Sequence, residues 1–246
     1  MEAIKDYWER STPMKFDTEK WSYLKKRTFR YDLQNYMLET FQFERWESKS
    51  VLEFGCGSGI DAVEFARCGA KVTAVDITDN AVALTEELAR EVGVNVVVQK
   101  ITDTRLPFSD STFDCVYSFG VLHHIPKVEE TLHELRRVLK PNGTIMAMVY
   151  NKVSLLNVYS ILFLHRNEKL SEEQLASKYS ERNIDCPYTK LYTKEEVSVL
   201  FEHWFRDVKV STHYNVIDST QERKVKLLLD DKYELGWHLV VKGMKR

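Results

Sequence analysis

A glycine-rich turn between an apolar strand and a helix constrains this chain more than any other feature. The strand pattern Val51–Gly55 runs into Cys56-Gly57-Ser58-Gly59, and the helical pattern Ile60–Cys68 follows at once. Glycines at alternate positions let the backbone turn sharply and let a ligand reach the main chain, and N–H groups at a helix start favour an electronegative ligand group. The turn therefore predicts a site for a nucleotide-type ligand at the end of the first strand.

Two acidic residues narrow the type of ligand. Asp76 ends the second predicted strand, where a carboxylate accepts hydrogen bonds from both hydroxyls of a ribose. Glu53 lies just before the first glycine, where its charge would repel a pyrophosphate but suits an α-ammonium group. The dinucleotide fingerprint also needs a glycine or alanine where Ile60 stands. The pattern favours a zwitterionic, sulfonium-bearing ligand, and an NAD-dependent oxidoreductase is the weaker alternative.

Strand and helix patterns alternate over residues 51–150, which is typical of a parallel sheet with helices on both faces. The further predicted elements are the strands Lys71–Asp76, Val94–Gln99, Phe113–Ser118 and Thr144–Tyr150 and the helices Asn80–Val92 and Lys127–Leu139. Right-handed crossovers then predict a doubly wound, Rossmann-like α/β sheet. Two short strands, Val208–Val210 and Leu239–Val241, are expected to close it, antiparallel at its edge.

The rest of the chain is expected to complete one domain that spans residues 1–246. Its predicted parts are an N-terminal helical cap (1–50), the cofactor-binding core (51–150), a lid insertion (151–190) and a closing helix and strands (191–246). Pro141-Asn142-Gly143 is expected to break the chain after a helix, and Thr193 with Glu196 predicts a capping box for a helix that ends near Phe205. The charge run Glu168–Glu181 is expected to be a solvated helix face.

Composition excludes several classes of function. The net charge is −2, and proteins that bind duplex or transfer RNA usually carry a basic surplus. The four cysteines form no C-x-x-C pair, so we expect free thiols in a reducing cytoplasm and no bound metal. Apolar stretches are far shorter than the ~20 residues that span a bilayer. We therefore expect a cytoplasmic monomer or homodimer without nucleic-acid or membrane partners.

Five ordered motifs between residues 50 and 150 point to one family. They are VLEFGCGSG (51–59), VTAVDIT (72–78), LPFSDSTFD (106–114), VLHHIP (121–126) and LRRVLKPNG (135–143). With them the chain resembles the class I S-adenosylmethionine-dependent methyltransferases, especially the ubiquinone/menaquinone-type (type 11) subgroup. The resemblance implies a seven-stranded sheet with its last strand antiparallel. It also implies S-adenosylmethionine as cofactor and S-adenosylhomocysteine as product.

The resemblance also implies roles for individual residues. Glu53, Gly55 and Gly57 would line the methionine end of the cofactor. Asp76 would hold the ribose, and Ile77 would pack on the adenine. The family usually places an acid four residues before the leucine of the Leu-Pro-Phe motif, where Thr102 stands in this chain. Either the loop slips by one residue or Asp103 contacts the adenine differently.

The acceptor side offers fewer candidates. The fourth strand ends at Ser118, so Phe119 to His124 should lie beside the transferred methyl group. His124 and His123 are candidates for proton transfer because an imidazole titrates near neutrality, although the pair can equally serve only to hydrogen-bond the backbone. The resemblance places the N-terminal arm over the active site. Tyr31 of that arm lines the acceptor pocket, holds the methionine carboxylate or simply packs the arm onto the domain.

Three functions follow from these features. The first is transfer of a methyl group to a small molecule with an oxygen, nitrogen or carbon nucleophile. The second is methylation of RNA or protein. The third is a non-catalytic scaffold subunit that binds S-adenosylmethionine. The acceptor itself lies beyond the sequence, since the fold of the cofactor half is shared among many substrates.

Overall fold

Seven β-strands form one sheet in the computed structural model, which describes residues 2–12, 15–103, 105–181, 185–215 and 233–246. The strands are β1 (Ser50–Phe54), β2 (Lys71–Asp76), β3 (Val96–Lys100), β4 (Phe113–Phe119), β5 (Leu139–Tyr150), β6 (Phe205–His213) and β7 (His238–Lys245). Their order in the sheet is β3-β2-β1-β4-β5-β7-β6. The first five strands pair in parallel, and β7 is antiparallel to both β5 and β6. The predicted seven-stranded, doubly wound sheet is confirmed.

Helices pack around this sheet. They are α1 (Glu2–Ser11), α2 (Lys15–Thr18), α3 (Tyr23–Leu33), α4 (Tyr36–Phe41), α5 (Ile60–Arg67), α6 (Asp79–Val92), α7 (Val128–Val138), α8 (Glu172–Tyr179) and α9 (Lys194–Glu202), with a π-helix at Leu156–Phe163. Thr193 and Glu196 form the predicted capping box at the start of α9. Among the helices of the described residues, none is long and apolar enough to cross a membrane.

The structure differs from the sequence prediction in three places. Helix α7 ends at Val138, and β5 begins at Leu139 and continues through Pro141–Gly143 instead of breaking there. Asn142 adopts a φ of +61°, a left-handed conformation that asparagine tolerates, and the pairing register with β4 shifts at this point. The closing strands β6 and β7 are longer than predicted. The helical cap expected over residues 1–50 is divided among the short helices α1 to α4.

The N-terminal arm shares the hydrophobic core of the sheet. Phe41 and Phe43 are 1% exposed and pack in the same cluster as Phe65 of α5 and Tyr117 of β4. A second cluster, on the other face, is built from α7, α9 and the strands. The π-helix and α8 form a smaller third cluster with Trp237. These layers leave the carboxyl ends of β1, β2 and β4 at one edge of the sheet, where the candidate site lies.

Candidate functional site

A cavity opens at the carboxyl edge of β1, β2 and β4. Its lining comes from the N-terminal helix and from the loops that follow these strands and β3. The lining residues are Ile4, Trp8, Ser11, Thr12, Phe54, Gly55, Gly57, Ser58, Asp76, Ile77, Ile101, Asp103, Phe119, Gly120, Val121, His124 and Ile125. The edge of a parallel sheet beyond the carboxyl ends of its strands is the usual ligand site of this architecture.

The glycine turn forms one wall of the cavity, and its three glycines have different tasks. Gly55 has a φ of +83°, and a Cβ built there would lie 2.3 Å from a methyl group of Val121. Gly59 has a φ of +76°, and its Cβ would lie 2.8 Å from the Cα of Thr85 in α6. A Cβ at Gly57 would meet no protein atom within 4 Å. Gly55 and Gly59 therefore permit close packing, and Gly57 leaves open space on a cavity wall.

Asp76 connects the glycine turn to the start of α6. Its Oδ2 accepts a hydrogen bond from the Gly57 N–H at 3.1 Å. Its Oδ1 accepts from the N–H and the hydroxyl of Thr78 at 3.0 and 2.9 Å. Burial raises the pKa of Asp76 above its ordinary value, and the hydrogen bonds from Gly57 and Thr78 oppose this rise. The carboxylate is thus held in one orientation on the cavity wall.

The charges of the cavity wall are acidic. Asp76 and Asp103 both line it, and among the described lining residues there is no lysine or arginine. Thr102 is outside that lining, so the structure brings Asp103 rather than its neighbour to the cavity. Two carboxylates beside one histidine, His124, and no lysine or arginine among the described lining residues suit a cationic ligand better than a pyrophosphate. The donor set therefore fits the sulfonium of S-adenosylmethionine.

Helix α1 covers the cavity and belongs to the N-terminal arm that the resemblance placed over the active site. Ile4, Trp8 and Ser11 line it from above. The carboxylate of Glu9 accepts hydrogen bonds from the N–H groups of Asp79 and Asn80, each at 2.9 Å. These N–H groups belong to the first turn of α6, so Glu9 fastens the cover to the N-terminal end of that helix. The i, i+4, i+7 spacing of the three lining residues is the local sequence signal for this cover.

Glu53 and Tyr31 lie behind the glycine turn and outside the cavity lining. Tyr31 is 4% exposed and donates its hydroxyl hydrogen to Asp61 at 3.0 Å. Arg30 pairs with the same carboxylate at 2.6 Å and lies over the ring of Phe119. Glu53 is 3% exposed, and burial followed by the charge of Asp61 raises its pKa well above the ordinary value. Neither residue lines the cavity. A contact of Tyr31 with the acceptor and of Glu53 with the methionine end stays a prediction.

The two predicted histidines have different positions. His124 lines the cavity, and its ring centroid lies 4.8 Å from that of Trp8. His123 is fully buried outside the lining and packs on Tyr150, with ring centroids 3.8 Å apart. Burial lowers the pKa of His123 well below the ordinary value, so its ring is neutral. Of the two histidines, only His124 lines the cavity.

The ring of His124 is held by the segment after α8. Its Nδ1 lies 3.0 Å from the carbonyl oxygen of Tyr188, and its Nε2 lies 3.2 Å from a carboxylate oxygen of Glu181. Burial lowers the pKa of His124, but hydrogen bonding with Cys186 and Glu181 outweighs burial and raises it to about 10. Glu181 belongs to the charge run that was expected to be solvated, yet its side chain is only 9% exposed. That expectation fails for Glu181 because the fold turns its side chain toward a buried histidine.

The sheet and the cavity together define the class I S-adenosylmethionine-dependent methyltransferase fold that the five motifs predicted. Residues 52–147 match the family model described as a methyltransferase domain. This part of the chain is therefore similar to the methyltransferase domain family. The glycine turn, Asp76, Ile77, Asp103, Phe119 and His124 all lie within the matched residues.

Known proteins agree with this family. A ubiquinone biosynthesis O-methyltransferase from Alkalilimnicola ehrlichii is 32% identical over 47% of this chain and 47% of that protein. A sterol 4-C-methyltransferase from Caenorhabditis elegans is 28% identical over 66% of this chain and 46% of that protein. The chain thus spans about half the length of these curated relatives. A Thermotoga maritima structure, described as a possible histamine N-methyltransferase, superposes with a TM-score of 0.62 over 99% of this chain and 100% of that one, at 20% identity.

Proposed function

We propose that this protein transfers the methyl group of S-adenosylmethionine to a small-molecule acceptor with an oxygen, nitrogen or carbon nucleophile. The observation that carries the proposal is the wall that the glycine turn, Asp76 and Asp103 form together. This wall lies within the residues that match the methyltransferase domain family. Relatives named for sterol methylation and for ubiquinone biosynthesis support a small acceptor. A cytoplasmic location and a monomeric or homodimeric state stay predictions.

Each residue of the wall has a proposed task toward the cofactor. Gly55 and Gly57 admit the methionine end, since the space beside Gly57 holds no protein atom within 4 Å of a built Cβ. Asp76, already held by Gly57 and Thr78, accepts hydrogen bonds from the ribose hydroxyls. Ile77 packs on the adenine, and Asp103 accepts from its amino group. The negative charges of Asp76 and Asp103 complement the positive charge of a sulfonium.

The chain contributes position rather than strong catalysis. A bound sulfonium supplies a methyl carbon whose bond to sulfur breaks, with the electron pair left on sulfur, as the bond to the acceptor forms. Ile4 and Trp8 of helix α1 line the cavity and keep bulk water away from the reacting atoms. Phe119, backed by the guanidinium of Arg30 at 4.4 Å, and His124 flank the acceptor end. Alignment of the reacting atoms supplies much of the rate in such a displacement.

The residues behind the wall support it. We assign Tyr31 to the buried group around Asp61, which also receives a hydrogen bond from Tyr117 at 2.8 Å. Glu53 lies beside this group at the end of β1. His123 packs against Tyr150 at the acceptor end. These three side chains act on the site through their neighbours and not through contact with the cofactor.

Transfer of a labelled methyl group to an acceptor tests the proposed activity. The protein is incubated with trideuteromethyl S-adenosylmethionine and a panel containing a catechol, an imidazole amine and a sterol, and mass spectrometry follows the label. We expect label in at least one panel member with the wild type and loss of that label in Asp76→Ala. Labelling of added transfer RNA or protein in place of any small molecule would identify a macromolecular acceptor instead. Binding of S-adenosylhomocysteine without labelling of any acceptor class would favour the scaffold function.

A further inference from the structure

Three side chains outside the proposed cofactor contacts meet at the acceptor end of the cavity. They are His123 and His124, from the turn after β4, and Glu181, from the segment after α8. Each offers one ligand atom, and the three atoms lie within 4.8 Å of one another. We propose that these residues bind a divalent transition-metal ion, with Zn²⁺ as the representative ion.

The tautomer of His124 points to a cation. A carbonyl oxygen only accepts hydrogen bonds, so Nδ1, 3.0 Å from the oxygen of Tyr188, carries the hydrogen of the neutral ring. The lone pair of Nε2 then faces Oε1 of Glu181 at 3.2 Å. The two atoms make no hydrogen bond of normal geometry with each other or with another described residue. Two lone pairs at this distance repel each other unless a proton or a metal ion lies between them.

His123 provides a second, independent observation. Its side chain is 0% exposed, and among the described residues neither ring nitrogen has a hydrogen-bond partner. Buried polar atoms are normally paired, so an imidazole without partners on either side calls for a ligand. Its ring lies beside that of His124, with centroids 4.1 Å apart. A metal ion bound to one of these nitrogens would satisfy that nitrogen.

The surroundings of the site match those of known metal centres. A metal-ligating histidine almost always donates its other ring N–H to a carboxylate, carbonyl or water, which fixes the ring. The Nδ1 of His124 already does this with Tyr188, while Thr189 and Cys186 lie 3.3 and 3.6 Å from the same atom. Two imidazoles and one carboxylate suit Zn²⁺ and related first-row ions better than Mg²⁺ or Ca²⁺, which prefer oxygen ligands. Binding would draw the farther ligand atoms closer together.

Three protein ligands leave one position of a tetrahedral ion open. Structural zinc sites use four protein ligands, whereas catalytic sites keep such an open position. His124 lines the cavity beside Ile125, so the open position lies near the acceptor end. If the proposed methyl transfer holds, an acceptor hydroxyl or thiol bound there would lose its proton more readily before attacking the methyl carbon. The ion would then act as a Lewis acid, and the released proton would pass to water.

The sequence predicts no metal site at His123 and His124, because no carboxylate or cysteine partner for them is apparent in it. Glu181 is far from them along the chain, and it ends a run of charged residues that looks solvated. Only the fold brings its carboxylate to His124.

Metal binding is measurable without any methyl transfer. The full-length protein, freed of its affinity tag and dialysed against a chelator, is titrated with Zn²⁺ in a calorimeter, and Co²⁺ is added separately to record its visible d–d absorption. We expect one bound equivalent and a tetrahedral cobalt spectrum. The substitutions Glu181→Gln and His123→Gln should weaken Zn²⁺ binding by about tenfold or more, in line with the sensitivity of such sites to their ligand environment.

Matched controls separate the site from adventitious binding. Glu173→Gln, on the exposed side of α8, and His133→Gln, on the exposed side of α7, remove the same chemical groups and should leave both signals unchanged. Thermal melting by circular dichroism verifies that every variant is folded. Absence of Zn²⁺ binding, or equal binding in wild type and Glu181→Gln, would overturn the proposal and leave a proton between His124 and Glu181. S-adenosylhomocysteine binding, measured in parallel, tests the proposed function separately.

Discussion

Removal of the Asp76 carboxylate is the most direct test of the cavity wall that is proposed to bind the cofactor. In the fold this group already accepts three hydrogen bonds, from the Gly57 N–H and from the N–H and hydroxyl of Thr78. A ribose would add donors to the same two oxygens. Asp76→Ala therefore removes the predicted ligand contacts and also releases the turn that carries Gly57.

The size of the effect follows from charge-assisted hydrogen bonds, each of which contributes about 1.5–3 kcal/mol net. Two ribose contacts are partly offset because water solvates the exposed hydroxyls in the variant. We expect a loss of about 1–3 kcal/mol in binding free energy, or a rise of about 5- to 150-fold in the Kd for S-adenosylhomocysteine. Isothermal titration calorimetry measures it directly.

Asp79→Asn is the matched control. Asp79 lies three residues further along, its side chain is 70% exposed, and it pairs with Lys100 at the surface. The control removes one negative charge near the cavity without removing a cavity contact, so its Kd should stay close to the wild-type value. A folded Asp76→Ala protein with unchanged affinity, or an equal loss in the control, would refute the assignment of the ribose to Asp76.

Three further predictions concern packing, acid stability and the cover. Gly59→Ala should lower the free energy of unfolding by about 1–3 kcal/mol more than Gly93→Ala in urea titrations: both glycines have positive φ, but only the first places a Cβ against helix α6; equal losses would contradict this. Burial raises the pKa of Glu64, but the hydrogen bonds from Arg27 and Tyr23 together with the charges of Arg27 and Arg67 lower it overall, so this stabilisation is present above the unfolded pKa of about 4.3 and fades as pH falls through the folded value; Glu64→Gln should flatten the loss of stability over this range, and an unchanged slope would count against it. Trp8→Ala should weaken S-adenosylhomocysteine binding with little change in the urea midpoint, because Trp8 lines the cavity from the cover; unaltered affinity would show that α1 does not close over the ligand.

Local patterns were enough to bring the glycine turn and Asp76 to one cavity wall. The glycine turn and Asp76 each end a strand of the same parallel sheet, and β1 pairs directly with β2. Hydrophobic segments and their spacing therefore place both groups at one edge before any tertiary contact is known. The same reasoning brings Phe119 and His124 to this edge from β4.

Contacts between distant segments were beyond sequence reasoning. Glu9 reaches the first turn of α6, and Glu181 reaches His124, across long stretches of chain. No periodic pattern in the sequence predicts such a contact, and an acidic residue near charged neighbours is usually solvated. Tyr31 was expected near the acceptor because the resemblance places the N-terminal arm over the active site, and no sequence pattern predicts its contact with Asp61.

The proline-containing break illustrates a different limit. Pro141-Asn142-Gly143 is typical of a turn, and α7 does end just before it. The structure nevertheless continues β5 through these residues, because Asn142 accepts a positive φ and β4 shifts its register opposite them. Local turn chemistry predicted the irregularity but not that the sheet absorbs it.

Binding of S-adenosylhomocysteine tests the central claim most directly. The purified protein is titrated with this ligand by calorimetry, and NAD is titrated in parallel as the control. The account predicts micromolar binding of S-adenosylhomocysteine and no detectable binding of NAD, because the described cavity wall holds two carboxylates and no lysine or arginine. Binding of NAD alone would contradict the account and make Asp76 part of a dinucleotide site.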